Sequence, residues 1–310
     1  MRTFLKNGNG LVPCQQWEPN CWVNIVKPTQ SDADYIINEL HVPSAFYEDI
    51  EDMDERPRIE VEDGWCFILM RIPCKETEDF NSVPFTTVPL GIIFKDDVFV
   101  SVCFYQTDLI TDFIQYTKRK NIERTDNLNF VFRLLLSSSI WFLKYLKQIN
   151  NRTKIAEKQL ENSIRNEDLQ TLLKLEKCLV FFTTSLRGNE ILTHRLKNLR
   201  NTKDLYDPEL VEDVEIESKQ ALEMTNIYSD ILSGMMDAYA SVISNNLNVV
   251  MKRLTTISIV LMMPTLIASY FGMNLESGTT IFNWTFLIVI LTSILITAFT
   301  TGFFIKKRWF

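Results

Sequence analysis

The chain has 310 residues and a formal charge of −7, from 39 acidic and 32 basic side chains, with only 2 histidines. An acidic surface excludes nucleic acid as the principal partner, because phosphate contacts need a basic one. The six cysteines (Cys14, Cys21, Cys66, Cys74, Cys103, Cys178) contain no CxxC pair, and neither His41 nor His194 has a Cys or His nearby in sequence, so buried reduced thiols are expected rather than a zinc cluster.

The opening MRTFLKNGNG lacks the apolar core of a secretory signal. SDADYIINEL (Ser31–Leu40) predicts a helix with Ser31 as its N-cap. Strands are predicted over Trp65–Ile72, Thr87–Lys95 and Asp97–Phe104, which are rich in β-branched and aromatic residues, with a hairpin turn at Lys95-Asp96-Asp97. Residues 1–125 therefore read as an α/β domain with a sheet. From Asp126 the pattern turns helical. Asn127–Ile164 has no Pro or Gly, and Glu167–Leu199 makes a second helix, so 126–206 reads as a helical hairpin. A third helix opens at Asp207-Pro208-Glu209, with an N-cap Asp, Pro at the first helical position and an acid favoured by the helix dipole. Nothing stops it before Gly272, since Gly234 and Pro264 are isolated and only bend a helix. At 1.5 Å per residue, the segment from 208 to 272 would extend roughly 95–100 Å.

The mean hydropathy of −0.01 hides a division. Residues 1–250 read as soluble. Leu254–Phe271 and Thr279–Ile305 carry no charge, and each is long enough to cross a hydrocarbon core, which takes about 20 helical residues. Two spans are predicted, at about 254–271 within the long helix (207–272) and at 281–305, joined by a loop over 273–280 and followed by a basic tail, 306–310. Lys252 and Arg253 precede the first span, and Lys306, Lys307 and Arg308 follow the second, whereas the loop holds one acid, Glu276, and no base. Positive flanks stay cytoplasmic, so both termini are expected inside and the loop outside. Trp284 and Trp309 fit interfacial anchors.

Steps of three and four along the long helix pick out one face: Asp230, Gly234, Asp237, Ser241, Ser244, Asn248, Met251, Thr255, Ser258, Met262, Thr265 and Ser269. Small and hydroxyl residues suit close helix packing. That reading explains Asp230, Asp237 and Asn248 poorly, because polar groups near membrane depth usually face an interior or a water-filled path. Two helices cannot enclose a pore, so the stripe implies several subunits, with the methionines as a hydrophobic constriction. Two acidic runs, EDIEDMDE (Glu48–Glu55) and VEDVEIE (Val211–Glu217), read from composition alone as solvated faces.

YFGMN (Tyr270–Asn274) at the end of the penultimate span, SNNLNVVMKRL before it, SGMMDAY (Ser233–Tyr239), KKRWF after the last span, and EDIEDMDERPRIE (Glu48–Glu60) resemble the CorA family of divalent-cation transporters over nearly the whole chain. The resemblance implies a homopentameric channel with an α/β/α cytoplasmic domain built on a mixed sheet, a very long stalk helix and two C-terminal transmembrane helices, in a bacterial cytoplasmic (inner) membrane among lipid. It implies no cofactor: Mg²⁺ is both substrate and regulatory ligand, with Co²⁺ and Ni²⁺ as further candidates. Gly272, Met273 and Asn274 would form the outer selectivity loop, with Asn274 holding hydrated Mg²⁺. Asn248, Met251, Leu254, Met262 and Thr265 would line the pore, with Asp237 and Asp230 facing its cytoplasmic mouth; the stripe adds Ser244, Thr255, Ser258 and Ser269 to the expected lining. Asp49 and Asp213 of neighbouring subunits would bind regulatory Mg²⁺. The loop continues as LESGTT where many members carry Met-Pro-Glu, which leaves Glu276 as its only acid. The alternative within the class is a zinc transporter of the ZntB type. A membrane-anchored enzyme is a poor fit, for the chain shows no Ser-His-Asp set and no phosphate-binding glycine loop.

Overall fold

A computed structural model describes residues 1–76, 83–124, 126–162, 165–198, 206–271 and 284–307, the side chains of 162, 271 and 284–286 excepted. It divides into two compact units, 1–234 and 235–310.

The first unit is built on a seven-stranded sheet. β1 (Arg2–Asn7), β2 (Leu11–Cys14), β3 (Trp22–Val26), β4 (Arg58–Glu62), β5 (Trp65–Lys75), β6 (Phe85–Lys95) and β7 (Val98–Cys103) lie in the order β2-β1-β3-β7-β6-β5-β4. Every neighbouring pair is antiparallel except β3 with β7, which are parallel from Trp22↔Phe99 to Val26↔Cys103. The β6–β7 hairpin closes where expected: Lys95 pairs with Val98, and Asp96 takes a positive φ of 48°, a conformation that Asp and Asn tolerate better than bulkier residues.

The central strands are buried on both faces, so their sequences are continuous apolar runs rather than alternating ones. On one face, the π turn after α1 (Gln30–Asp34) and the helix α2 (Ser44–Glu51) set Ile36, Phe46 and Ile50 against Val23, Phe67, Ile93 and Val100. On the other lie α3 (Asp108–Lys120), α4 (Asn127–Asn162), α5 (Asn166–Lys197) and the first turns of α6 (Pro208–Phe271). There Trp22, Ile68, Met70 and Phe99 meet Phe113, Phe130, Leu192 and Val211. The result is an α/β/α sandwich on a mixed sheet. Trp22 donates its indole N–H to Ser101 Oγ at 2.8 Å, and Ser101 donates to Asn24 Oδ1 at 3.0 Å, so the polar atoms between the two parallel strands are satisfied.

The first helix differs from its sequence reading. Its cap is Thr29, two residues before Ser31. The Thr29 N–H and hydroxyl both donate to Asp32 Oδ2 at 3.0 Å. After Asp34 the chain makes a single π turn, Tyr35–Glu39. Thr-x-x-Asp supplies an acid at the third helical position, and that reciprocal contact outweighs the nearer serine. α4 starts at Asn127 and α5 at Asn166, at or within one residue of the starts expected for them. Asp207 caps α6, its Oδ1 accepting from Glu209 N–H at 3.1 Å.

Four of the six cysteines (Cys21, Cys74, Cys103, Cys178) are buried and Cys14 and Cys66 are half-buried, all as free thiols. Burial pushes the thiols of Cys66 and Cys74 up to about 11 and those of Cys103 and Cys178 up to about 12, so all four stay protonated and unreactive at neutral pH.

The second unit holds the rest of α6 and α7 (Trp284–Lys306). Two helices, Pro208–Tyr270 and Leu287–Lys306, are long and apolar enough to cross a membrane. A soluble core helix would be largely covered, whereas only 6% of the most apolar window of each is buried.

Candidate functional site

The α6 helix is assembled differently along its length. At its start, Leu210, Val211 and Val214 are 6%, 2% and 1% exposed and anchor it to the sandwich core. Further along, Ala221, Thr225 and Leu232 are still buried. Beyond Gly234 the positions picked out by sequence spacing all face outward. Asp237, Ser244, Asn248, Met251, Leu254, Thr255, Ser258, Met262, Thr265 and Ser269 are exposed, as is Asp230 before them. Met262 is the barest of the bulky ones, at 68%.

The covered side of α6 in this unit is Thr256, fully buried, with Ile259, Val260, Met263 and Ile267 half-buried. At 3.6 residues per turn, these centre about 135° around the helix from the Met251–Ser269 stripe. The half-buried residues of α7 also repeat at helical spacing: Val289, Ser293, Thr297, Thr300 and Phe304. From Thr255 to Ser269 the polar–methionine stripe therefore occupies the side of α6 turned away from the chain's own packing, whereas from Ala240 to Leu254 every side chain is exposed. Its exposure also extends to flanking aliphatics such as Ile257, Leu261 and Leu266.

Hydroxyls on the stripe face outward as acceptors. Thr255 Oγ1 donates to the Met251 carbonyl at 2.8 Å, Thr265 Oγ1 to Leu261 O at 3.0 Å, and Ser241 Oγ to Asp237 O at 3.0 Å. Each proton is committed to the helix, which leaves lone pairs for a hydrated cation. Pro264 has no N–H for the Val260 carbonyl, a built-in irregularity at membrane depth. Gly272, Met273, Asn274 and Glu276 lie outside the described residues, as do Arg308, Trp309 and the Trp284 side chain.

The acidic positions are separate. Asp49 sits half-buried on α2 and Asp213 is exposed on the second turn of α6. One guanidinium gathers the acids around Asp49. Arg58 Nη2 binds Asp49 Oδ2, its Nη1 binds Glu55 Oε1, and its Nε reaches Glu60 Oε2 at 3.3 Å. The Asp49 carboxyl is pushed above the usual Asp value, first by burial, with Glu55, Glu60 and Glu48 adding to the rise and Arg58 opposing it. Among the described residues of the single chain, no three His, Cys, Asp or Glu side chains are grouped to hold a metal. The Arg58 clamp is absent from the sequence reading. The signal for it was there in Glu55-x-x-Arg58-x-Glu60, which on a strand puts Arg58 and Glu60 on one face.

The profile of the CorA-like Mg²⁺ transporter protein family matches residues 17–307. The chain belongs to that family. Cobalt/magnesium transport protein CorA of Thermotoga maritima is 24% identical over 312 residues, spanning 96% of this chain and 86% of that protein. The complete structure of the CorA magnesium transporter from Methanocaldococcus jannaschii covers 100% of this chain and 99% of its own, with a TM-score of 0.82 at 19% identity. The cytoplasmic domain of ZntB from Vibrio parahaemolyticus covers 80% of this chain and 98% of its own, with a TM-score of 0.56 at 12% identity. At these identities the two structural likenesses concern fold alone, and the ZntB likeness is the more distant. CorA-family proteins are membrane transporters of divalent cations and not enzymes, and this chain is one of them.

Proposed function

We propose that this CorA-family chain assembles as a homopentamer in the cytoplasmic membrane, both termini inside, and conducts Mg²⁺ inward along the axis its α6 helices surround. The observation that carries this is the stripe on α6, which is polar, studded with methionine, and exposed on the side away from the chain's own packing. Five copies turning that side inward would bury it together and give a path of hydroxyl and amide oxygens. Met251, Leu254 and Met262 form its apolar constrictions, and Asp237 and Asp230 stand at its cytoplasmic mouth.

Mg²⁺ sheds its water reluctantly, so a fast site does better to hold the hydrated ion through neutral oxygens than to strip it. Asn274 side chains and the backbone at Gly272 and Met273 form the outer ring, since an amide binds a dication loosely enough to release it. The membrane potential drives entry with about 4.6 kcal/mol per 100 mV for two charges. Regulatory Mg²⁺ binds between Asp49 of one subunit and Asp213 of the next. Both acids are at least partly exposed, and among the described residues no group of three acids, histidines or cysteines completes a metal site within one chain.

The test is ion flux into proteoliposomes with and without an imposed inside-negative potential, with Mg²⁺, Co²⁺, Ni²⁺ and Zn²⁺ offered separately. Potential-driven Mg²⁺ uptake, lost in Asn274→Ala at unchanged assembly, is the expected result. Zn²⁺ uptake without Mg²⁺ uptake, or full Mg²⁺ uptake by the Asn274→Ala protein, refutes it.

A further inference from the structure

A cavity of about 400 Å³ opens between α3 and α4 in the first unit and shares no residue with the α6 stripe or the Asp49 cluster. Its size is in the range of small-molecule sites. Three cations line it, Arg119, Arg133 and Lys144, against one carboxylate, Asp112, for a net charge of +2. Asp112 is fully engaged. Its Oδ2 accepts from Trp141 Nε1 at 3.1 Å and Lys144 Nζ at 2.9 Å, and its Oδ1 lies 3.6 Å from Arg119 Nη2. Lys144 Nζ also stands 4.0 Å from the centre of the Trp141 ring, so carboxylate and indole hold the ammonium in one place.

Arg133 is different. It is half-buried, and among the described residues its guanidinium makes no hydrogen bond or ion pair. A planar guanidinium is suited to bidentate binding of a phosphate or carboxylate. The charge chooses between them, because two uncompensated cations match a dianion better than a monocarboxylate. Apart from the Ser137 hydroxyl, the rest of the wall is mostly apolar: Tyr116 and Ile140 are each 39% exposed, with Leu136 beside them. A bare anion would leave that surface wet, whereas a flat ring attached to the phosphate would cover it.

We infer that this cavity is a binding site for a small organic phosphate bearing a flat ring, of the nucleoside diphosphate class. The phosphates sit among Arg133, Arg119 and Lys144, and the ring lies on the Tyr116–Ile140 side. Asp112 orients Lys144 and Trp141 and does not itself meet the ligand. A magnesium complex of the same nucleotide has lost two negative charges and binds more weakly.

The experiment is equilibrium binding of ADP to the full chain purified in detergent, in EDTA, with adenosine and inorganic phosphate as separate probes. Saturable ADP binding near one per chain is expected, with both fragments at least about tenfold weaker and excess Mg²⁺ weakening ADP. Arg133→Ala should cost at least about tenfold, in keeping with a lost charged hydrogen bond, while Arg133→Lys keeps part of the affinity. Lys219→Ala, outside the cavity, should change nothing. The inference is overturned if ADP does not saturate, if Arg133→Ala binds it unchanged, or if phosphate or adenosine alone binds as tightly as ADP. Binding is read without flux, so failure here leaves the transport reading intact, and the reverse holds.

Discussion

Replacing Arg58 with alanine tests the regulatory role of Asp49 directly. In the single chain, Arg58 is the cation held by Asp49, Glu55 and Glu60. A divalent ion arriving from solution competes with that guanidinium for Asp49. The side chains of Arg58, Asp49 and Glu55 are 25%, 27% and 29% exposed and that of Glu60 is 45% exposed, so solvent screens the cluster partly. A pair of this kind is worth about 0.2–1 kcal/mol net, which converts to a factor of roughly 1.4 to 5 in ion affinity. Arg58→Ala should therefore lower the Mg²⁺ concentration for half-closure by up to about fivefold. Arg58→Lys should fall between the two, because lysine keeps the charge and loses the fork. The assay is channel current, with protease protection in parallel, across a Mg²⁺ titration near pH 7.5. The sign of the pH effect follows from the raised Asp49 carboxyl. Protons compete with Mg²⁺ for it, so the closure midpoint should move to higher Mg²⁺ as pH falls, starting above the pH at which an ordinary Asp protonates. Arg58→Ala removes the influence that holds this carboxyl down, so its acid sensitivity should begin at higher pH still. An unchanged or raised midpoint in Arg58→Ala, with a normal melting curve, refutes the assignment of Asp49 as a regulatory ligand.

Cysteines at Thr255, Ser258 and Met262 should react with hydrophilic thiol reagents in intact membranes at least about tenfold faster than ones at Thr256, Val260 and Leu261, since the proposed water-filled path would be lined by the first set alone. Equal rates would leave the stripe as packing or lipid surface. In the sandwich, a Cβ on Gly91 would stand 2.2 Å from Ile50 Cδ1 and 2.3 Å from Cγ1, in a fully buried site under α2. Gly91→Ala should destabilise the protein by about 1–3 kcal/mol. Ile50→Ala alone should cost about 2–5 kcal/mol. The double variant should be less destabilised than the sum by more than about 1 kcal/mol, because the new methyl fills the space vacated. Additive losses in thermal unfolding would contradict this packing.

Local chemistry was enough for some features and not for others. The charge-free runs Leu254–Phe271 and Thr279–Ile305, the Asp207-Pro208-Glu209 helix start and the turn at Lys95–Asp97 are legible in the sequence because each rests on neighbours along the chain. Hydrophobic length, a cap and a two-residue hairpin need no distant partner. The Asp230–Ser269 stripe is legible for the same reason, as helical periodicity alone places it on one face. The edge and first strands are not. β3 pairs with β7 across some 75 residues of chain, in parallel, and β1 lies between β2 and β3, so their register comes from side chains brought together only in the folded sheet. The same holds for Asn189, whose amide bridges the Arg71 backbone N–H at 2.9 Å and carbonyl at 2.7 Å and ties α5 to β5. The Thr29 cap is the opposite case: Thr29-x-x-Asp32 is a local signature, and Ser31 is simply the wrong choice among neighbours. Dependence on distant partners is clearest for Asp49, which composition presents as one acid in a solvated run. Only the packing of α2 onto the sheet puts it, half-buried, against Arg58 of β4, because desolvation and ion pairing depend on what surrounds a carboxylate in space rather than along the chain.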